Sequence, residues 1–377
     1  MTTIQSPNLP LTNIFLCGSI ISTVCVGIWL FRTMSRKRQE LRVVMRSEFT
    51  NSFLLKFGYL LYINTPLGNY LFQKSVRRAR RRFGNRGHSI TQNHDYGELN
   101  VLPIAIAEDN YSYLVVDKTT MKGILIDPSD PDVVVGICKR LQVDLTAILC
   151  THKHWDHAGG NKVIKHLFPK IQIFGSIEDK PLATTDFVRD GDSLSFDKMQ
   201  FQVITTPGHT LGHCVFVLNG RPFNCPDHIF TGDLLFQGGM GKIFEGDHTL
   251  MIQSLDKIMM FNNNTLIWPG HEYSKHCLRF ACYIDPDNVE AASRWDKVET
   301  LRRQALSSVP STLGEEKAYN PFLRCDNAYL VKYCEIPEAS ENIRESCLRK
   351  LRLIKDNFDK MVKEETNKRR KNKSRML

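Results

Sequence analysis

The sequence predicts an α/β (α+β) fold, with two β-sheets packed face to face, helices outside them, and a helical C-terminal region. Three observations carry this expectation. From Leu99 onward, short apolar runs of strand length are separated by turn residues. A helical period falls between two such runs, at Val133–Leu141. Metal-capable side chains recur where apolar runs give way to loops.

The chain ahead of Leu99 has a different character. Ile14 through Phe31 is an uncharged run of 18 residues, near the lower limit for crossing a bilayer core. Arg32, Arg36, Lys37, Arg38, Arg42 and Arg46 follow it, which holds that side in the cytoplasm by the positive-inside rule. Residues 1–50 therefore read as a single-pass membrane anchor with a basic flank. A mitochondrial presequence is the alternative. A second apolar stretch, Phe53 to Phe72, is interrupted by Lys56, Pro66 and Gly68 and runs into Arg77-Arg78-Ala79-Arg80-Arg81-Arg82. It reads as an interfacial segment with a polybasic follower. Residues 84–97 are polar and glycine-bearing, a linker that closes a second unit at 51–97.

Val101–Ala107, Tyr113–Val116 and Gly123–Ile126 read as successive strands, the last ending in Asp127-Pro128-Ser129-Asp130-Pro131, a strong turn signal. Val133, Val134, Ile137, Cys138 and Leu141 then mark a helix. Leu145–Cys150 is the next strand, and Ile171–Phe174 and Phe201–Thr205 follow. Between them stands Thr151-His152-Lys153-His154-Trp155-Asp156-His157, with Ala158-Gly159-Gly160-Asn161 after it to turn the chain into a helix. His152, His154 and His157 offer imidazole nitrogens and Asp156 a hard oxygen, a mix suited to zinc, iron or manganese. One ion cannot easily take all four at that spacing, so two neighbouring ions fit better. His209, Asp233 and His271 each follow a strand at a corner of the same kind. His88, His94, His166, His213, His228, His248 and His276 receive no role on this argument.

The net charge of +10 belongs to the ends. Residues 1–100 hold 14 Lys+Arg against 4 Asp+Glu, and residues 361–377 hold 7 against 2, which leaves the body acidic at 29 against 34. A membrane surface suits the N-terminal excess better than nucleic acid, which is not an expected partner. The eleven cysteines show no paired spacing, as in a chain with reduced thiols.

His152-x-His154-x-Asp156-His157, with His209, Asp233 and His271, resembles the ligand set of binuclear hydrolases of the metallo-β-lactamase superfamily. Asp109–Tyr113, Thr206–His213, Gly232–Phe236, Gly241–Gly246, Pro269–Tyr273, Pro310–Glu316 and Tyr319–Arg324 resemble the glyoxalase II (hydroxyacylglutathione hydrolase) family within it. The upstream aromatic, arginine-rich segment is similar to a membrane-associated animal branch of that family. The likeness spans residues 99–358. It implies an αβ/βα sandwich over 98–272 with metals at one edge, a helical substrate-binding region over 273–360, and a basic tail at 361–377. It implies one ion on His152, His154 and His209, another on Asp156, His157 and His271, and Asp233 between them, zinc being the first candidate.

Near the C-terminus, Ser340 can cap a helix whose apolar positions are Ile343, Cys347, Leu351, Ile354, Phe358 and Met361. Arg352 and Lys355 share a face of it, a suitable clamp for a carboxylate. The resemblance implies that this pair, with Lys242 and Tyr273, holds the glutathione part of a substrate. Met240 departs from a common cysteine and Phe244 from a tyrosine found in some members. The implied reaction is hydrolysis of the thioester of S-D-lactoylglutathione or a related acyl-glutathione to a hydroxy acid and glutathione. Two divalent ions would acidify a water that Asp156 orients. The alternatives are a persulfide dioxygenase of the same fold on a single iron, and a membrane-tethered adaptor or regulatory protein with little turnover.

Overall fold

Parallel strands need crossovers, and the first sheet shows where the helical period at 133–141 goes. Its order is β1 (His94–Tyr96), β2 (Leu99–Ile106), β3 (Asn110–Asp117), β4 (Lys122–Ile126), β5 (Asp144–Cys150), β6 (Gln172–Ser176), β7 (Asp186–Val188). β1 to β4 pair antiparallel, and β4 to β7 pair parallel. Helix Pro131–Arg140 makes the β4–β5 crossover, with Pro131 in its first turn, where no backbone N–H is required. Helix Asn161–Leu167 lies in the next crossover. Val134, Cys138 and Ile164 pack from these helices onto Leu114, Leu125, Ile148 and Ile173 of the sheet.

The second sheet runs β15 (Ser311–Thr312), β14 (Leu266–Pro269), β11 (His228–Gly232), β10 (Cys214–Leu218), β9 (Met199–Thr205), β8 (Ser193–Phe196), and β12 (Leu235–Phe236) pairs with β13 (Gly239–Met240) as a separate ribbon. Its pairs are antiparallel except β11 with β14. Tyr113, Val115 and Leu149 of the first sheet meet Phe201, Phe216, Phe230 and Trp268 of the second in the inner core. The second sheet's outer face is covered by Met251 and Leu255, by Phe280 and Ile284, and by Leu348 and Leu351. These come from helices His248–Met259, Ser274–Ile284 and Ile343–Arg375. The sandwich is thus αβ/βα, followed by helices.

The structure, a computed structural model, describes residues 38–47, 52–84 and 87–375. The expected anchor at Ile14–Phe31 lies outside them. Among the described residues no helix is long and apolar enough to cross a membrane.

The stretch Phe53–Phe72 folds into a helical hairpin, Phe53–Asn64 and Pro66–Phe83. The break falls at extended Thr65 and at Pro66, which cannot continue the first helix. The hairpin sits on the protein itself. Tyr59 and Leu60 pack with Val44, and Phe72 and Val76 pack with Ala107 and Trp155. The Trp155 indole N–H donates to the Tyr62 carbonyl at 2.7 Å. That approach needs Gly68, where a Cβ would lie 1.6 Å from the Tyr62 carbonyl oxygen and 2.6 Å from the indole nitrogen. Part of the arginine run faces acids of the body: Arg80 meets Asp130 and Asp132 at 2.5 and 3.0 Å, and Arg82 meets Glu108 at 3.6 Å.

The C-terminal helix starts at Ile343, but its cap differs from expectation. Asn342 directly precedes it, and the Asn342 side-chain oxygen accepts from the Glu345 backbone N–H at 3.1 Å. The Ser340 hydroxyl instead pairs with Ser346.

Candidate metal centre

β5, β9, β11 and β14 all run out at one edge of the sandwich, and the residues just beyond their ends meet there. Five imidazoles turn one nitrogen outward to a fixed partner. Nδ1–H of His152 donates to Thr151 Oγ1 at 3.0 Å, that of His157 to Asp127 at 2.9 Å, that of His209 to the Lys242 carbonyl at 2.8 Å, and that of His271 to Asp109 at 2.9 Å. His154 is reversed: its Nε2–H donates to Tyr59 Oη at 2.9 Å. Outer partners of this kind fix ring orientation and leave the second nitrogen as a lone-pair donor.

The inward nitrogens gather in two groups. His152 Nε2 and His209 Nε2 each lie 3.0 Å from His154 Nδ1. Asp156, His157 and His271 form the second group, with Asp156 Oδ2 3.9 Å and 3.6 Å from the two Nε2 atoms. Asp233 reaches both, its Oδ2 3.4 Å from His209 and its Oδ1 3.3 Å from His157 and from His271. His157 Nε2 and Asp233 Oδ1 are buried with no hydrogen-bond partner. Buried polar atoms without partners are costly, so such a pair of lone-pair atoms marks a cation site. Gly270 lets the β14 corner close over the second group, since a Cβ there would sit 2.7 Å from His157 Cε1 and 2.8 Å from Asp233 Oδ1.

The electrostatics divide the same way. Burial, then the neighbouring imidazoles, push His152 and His154 well below the ordinary histidine value, which favours neutral rings. Burial also pulls His157 down, but Asp233, Asp156 and Asp127 raise it well above that value. His271 is raised to about 10, with burial opposed by Asp233 and Asp109. A surplus of carboxylate around the second group calls for positive charge. The donor set fits a dinuclear centre of divalent ions.

Residues 106–271 match the metallo-beta-lactamase superfamily, and residues 272–358 match the hydroxyacylglutathione hydrolase C-terminus. Over 222 residues the chain is 38% identical to a hydroxyacylglutathione hydrolase of Rippkaea orientalis, covering 58% of this chain and 86% of that one. It is 37% identical over 234 residues to that of Trichormus variabilis, covering 62% and 91%. It is 38% identical over 230 residues to the cytoplasmic hydroxyacylglutathione hydrolase of Arabidopsis thaliana, covering 60% and 89%. The chain belongs to the hydroxyacylglutathione hydrolase family. The expected membrane localisation, with its mitochondrial alternative, is corrected by one finding, a relative, that of Arabidopsis thaliana, named as cytoplasmic.

Against this family background, the ligand groups open into a cavity of about 660 Å³. The expected substrate residues Lys242, Tyr273, Arg352 and Lys355 all line it. Arg352 and Lys355 are 8% and 4% exposed, so they do not form a solvated helix face. Arg352 pairs with Asp356 at 2.8 Å, and Lys355 pairs with Asp359, which also accepts from His276 at 2.6 Å. Burial raises the Asp359 carboxyl, but His276 and Lys355 outweigh it and hold the group down to about 2. Tyr273 stacks on His271 with ring centroids 4.6 Å apart. Met240 and Phe244 line the cavity too, Phe244 edge-on to His154 and His209 and stacked by Tyr59 at 4.8 Å.

Several contributors carried no ligand-like signal in the sequence. Asp127 reads as a turn residue, yet it holds both His157 and Thr151. The Asn110 side-chain N–H donates to Asp156 at 3.1 Å. His213 and His276, given no role above, serve the site. His213 Nε2 accepts from the Asp233 backbone N–H at 3.1 Å, and His276 lines the cavity. Tyr59 lay in a stretch read as interfacial.

Proposed function

We propose that this chain is a dinuclear metallohydrolase that cleaves the thioester of an acyl-glutathione, S-D-lactoylglutathione or a relative of it, to an acid and glutathione. One observation carries the reading: a single cavity joins two ligand groups sharing Asp233 to a buried cationic pair, Arg352 and Lys355.

His152, His154 and His209 would hold one ion and Asp156, His157 and His271 the other, with Asp233 reaching both and zinc the first candidate. Such a pair supplies, when bound, an acidified water and a Lewis acid for the acyl oxygen. Asp156, held by the Asn110 side chain, would accept a hydrogen bond from that water and orient it. Arg352 and Lys355 receive the glycine carboxylate of glutathione by charge-assisted hydrogen bonds. Lys242 and Tyr273 flank the tripeptide along the same wall. Met240 and Phe244 make part of that wall apolar and offer it no hydroxyl. Glutathione leaves as a thiolate, so no strong general acid is required.

Neither alternative is favoured. A single-iron dioxygenase would not need the complete second group, and against the adaptor reading stand relatives named hydroxyacylglutathione hydrolase. The test is turnover of S-D-lactoylglutathione by the metal-loaded full chain, with metal content measured beside it. Two ions per chain and hydrolysis abolished in His154→Ala are expected. Two ions per chain with no hydrolysis of any acyl-glutathione would overturn the reading.

A further inference from the structure

The N-terminal hairpin precedes both family matches, which begin at residue 106, yet it supplies part of the cavity wall. Helix Phe53–Asn64 brings Leu54, Leu55, Gly58, Tyr59 and Tyr62 to the cavity. These positions share one face of a helix. The inner end of that face is fastened. Tyr59 is buried, its hydroxyl bonded to His154 and donating to Glu245 at 3.0 Å, its ring stacked on Phe244. The Tyr62 carbonyl holds the Trp155 indole. Its side chain lines the same cavity as Asp156 and His271 of the second ligand group.

The outer end is open. Leu54 is 77% exposed and Leu55 58% exposed, so both stand at the solvent rim of the cavity. The C-terminal helix lines the same cavity with Arg352, Lys355 and Asp359, all ionisable. One cavity thus has two walls of contrasting chemistry.

We propose that the Leu54–Tyr62 face is the acyl subsite, and that it favours an apolar alkyl or aryl acyl group over a short hydroxyacyl one. This deepens the proposed function and rests on it. A glutathione thioester has two unlike arms that meet at the reacting carbonyl. The carbonyl lies at the ligand groups, and the peptide arm, with its carboxylates, is drawn to Arg352 and Lys355. The acyl arm is left with leucine, tyrosine and the Phe244 ring. Each methylene withdrawn from water beside Leu54 and Leu55 improves affinity by roughly two- to fourfold.

The test uses S-methyl-, S-butyl- and S-hexylglutathione, thioethers that place an alkyl chain in the acyl arm and are not hydrolysed. Their affinities are measured by calorimetry on the zinc-loaded full chain and on Leu54→Asn/Leu55→Asn. Both leucines are solvent-exposed, so the variant keeps its core, and an unchanged melting temperature checks this. Hydrolysis of lactoyl- and hexanoylglutathione is followed in parallel. Affinity should rise by about 30-fold or more from methyl to hexyl, and the variant should lose at least half of that gain in free energy. Hexanoylglutathione should be preferred, with the preference reduced in the variant. Equal methyl and hexyl affinities, with lactoylglutathione still hydrolysed, would overturn the acyl subsite and leave the thioesterase reading intact. A chain-length gain undiminished in the variant would also overturn it, by placing the tail elsewhere. If no S-substituted glutathione bound and no thioester were cleaved, both readings would fall together.

Discussion

The metal edge and the substrate wall of this cavity are built in opposite ways. At the edge, the ligands follow the ends of β5, β9, β11 and β14, and short loops position them. The wall is assembled from helices near the two ends of the chain, Phe53–Asn64 and Ile343–Arg375, which pack on the sandwich from outside. Sheet corners hold donor atoms to a fraction of an ångström, which coordination demands. Apart from Tyr59, whose hydroxyl bonds His154, the helix faces set the shape and charge of the space. On the function proposed above, reaction type and substrate range would be encoded in separate parts of the molecule.

The largest effect should come from the residue that ties the edge together. Asp233→Asn keeps the shape but removes a charge shared by both ligand groups. We expect hydrolysis to fall by about a thousandfold, equivalent to about 4 kcal/mol of transition-state stabilisation, with fewer than two ions retained per chain by metal analysis. Retention of both ions at near-native turnover would mean that the second group does not need this carboxylate. Next comes the cationic wall. Arg352→Met with Lys355→Met should raise KM for lactoylglutathione roughly 30-fold with a much smaller change in kcat, the pattern of lost uniform binding. A collapse of kcat at constant KM would instead place these residues in the chemistry and erase the division between edge and wall.

That division also explains how far the sequence could be read. The His152–His157 run, His209, Asp233 and His271 were legible because coordination admits few residue types and strand ends are marked by apolar runs and turns. Arg352 and Lys355 were legible as a pair of like charges on an amphipathic helix. Tyr59, Leu54 and Leu55 were not, because apolar and aromatic residues before an arginine run carry the same pattern whether they meet a membrane surface or a protein. Tertiary packing of Tyr59 on Phe244 and of Phe72 near Trp155 shows the stretch's protein contacts, while Phe53, Leu67, Tyr70 and Leu71 stay exposed. Asp127 was hidden in a turn signal, since Asp-Pro is common wherever a strand ends, and only the pairing of β4 with β5 brings it to His157.

The hairpin's seating can be tested apart from the chemistry. In Gly68→Ala the new methyl would meet backbone, the Tyr62 carbonyl oxygen at 1.6 Å, so the helices must separate. About 2 kcal/mol of overpacking cost is expected, read as a lower melting temperature and a red shift in Trp155 emission as its indole N–H leaves the Tyr62 carbonyl. An unshifted spectrum would show that the two helices seat without this close approach.

The smallest effect is the most informative, because it crosses from wall to edge. Tyr59→Phe preserves the ring stacked on Phe244 and the packing with Val44 and Leu60, and deletes only the oxygen between His154 and Glu245. A purely structural role would show as lost thermal stability. A positioning role predicts something else: His154 Nε2–H loses its acceptor, the ring is freer to turn, and metal is given up to a competing chelator about tenfold more readily at a nearly unchanged melting temperature. Lys153 bonds the same Glu245 at 2.8 Å, so the carboxylate stays in place in the variant and does not confuse the comparison. A chelator midpoint identical to that of the native chain would confine the N-terminal hairpin to the wall. A shifted midpoint would mean that a segment ahead of the matched family domains helps to hold the metal edge as well as to shape what reaches it.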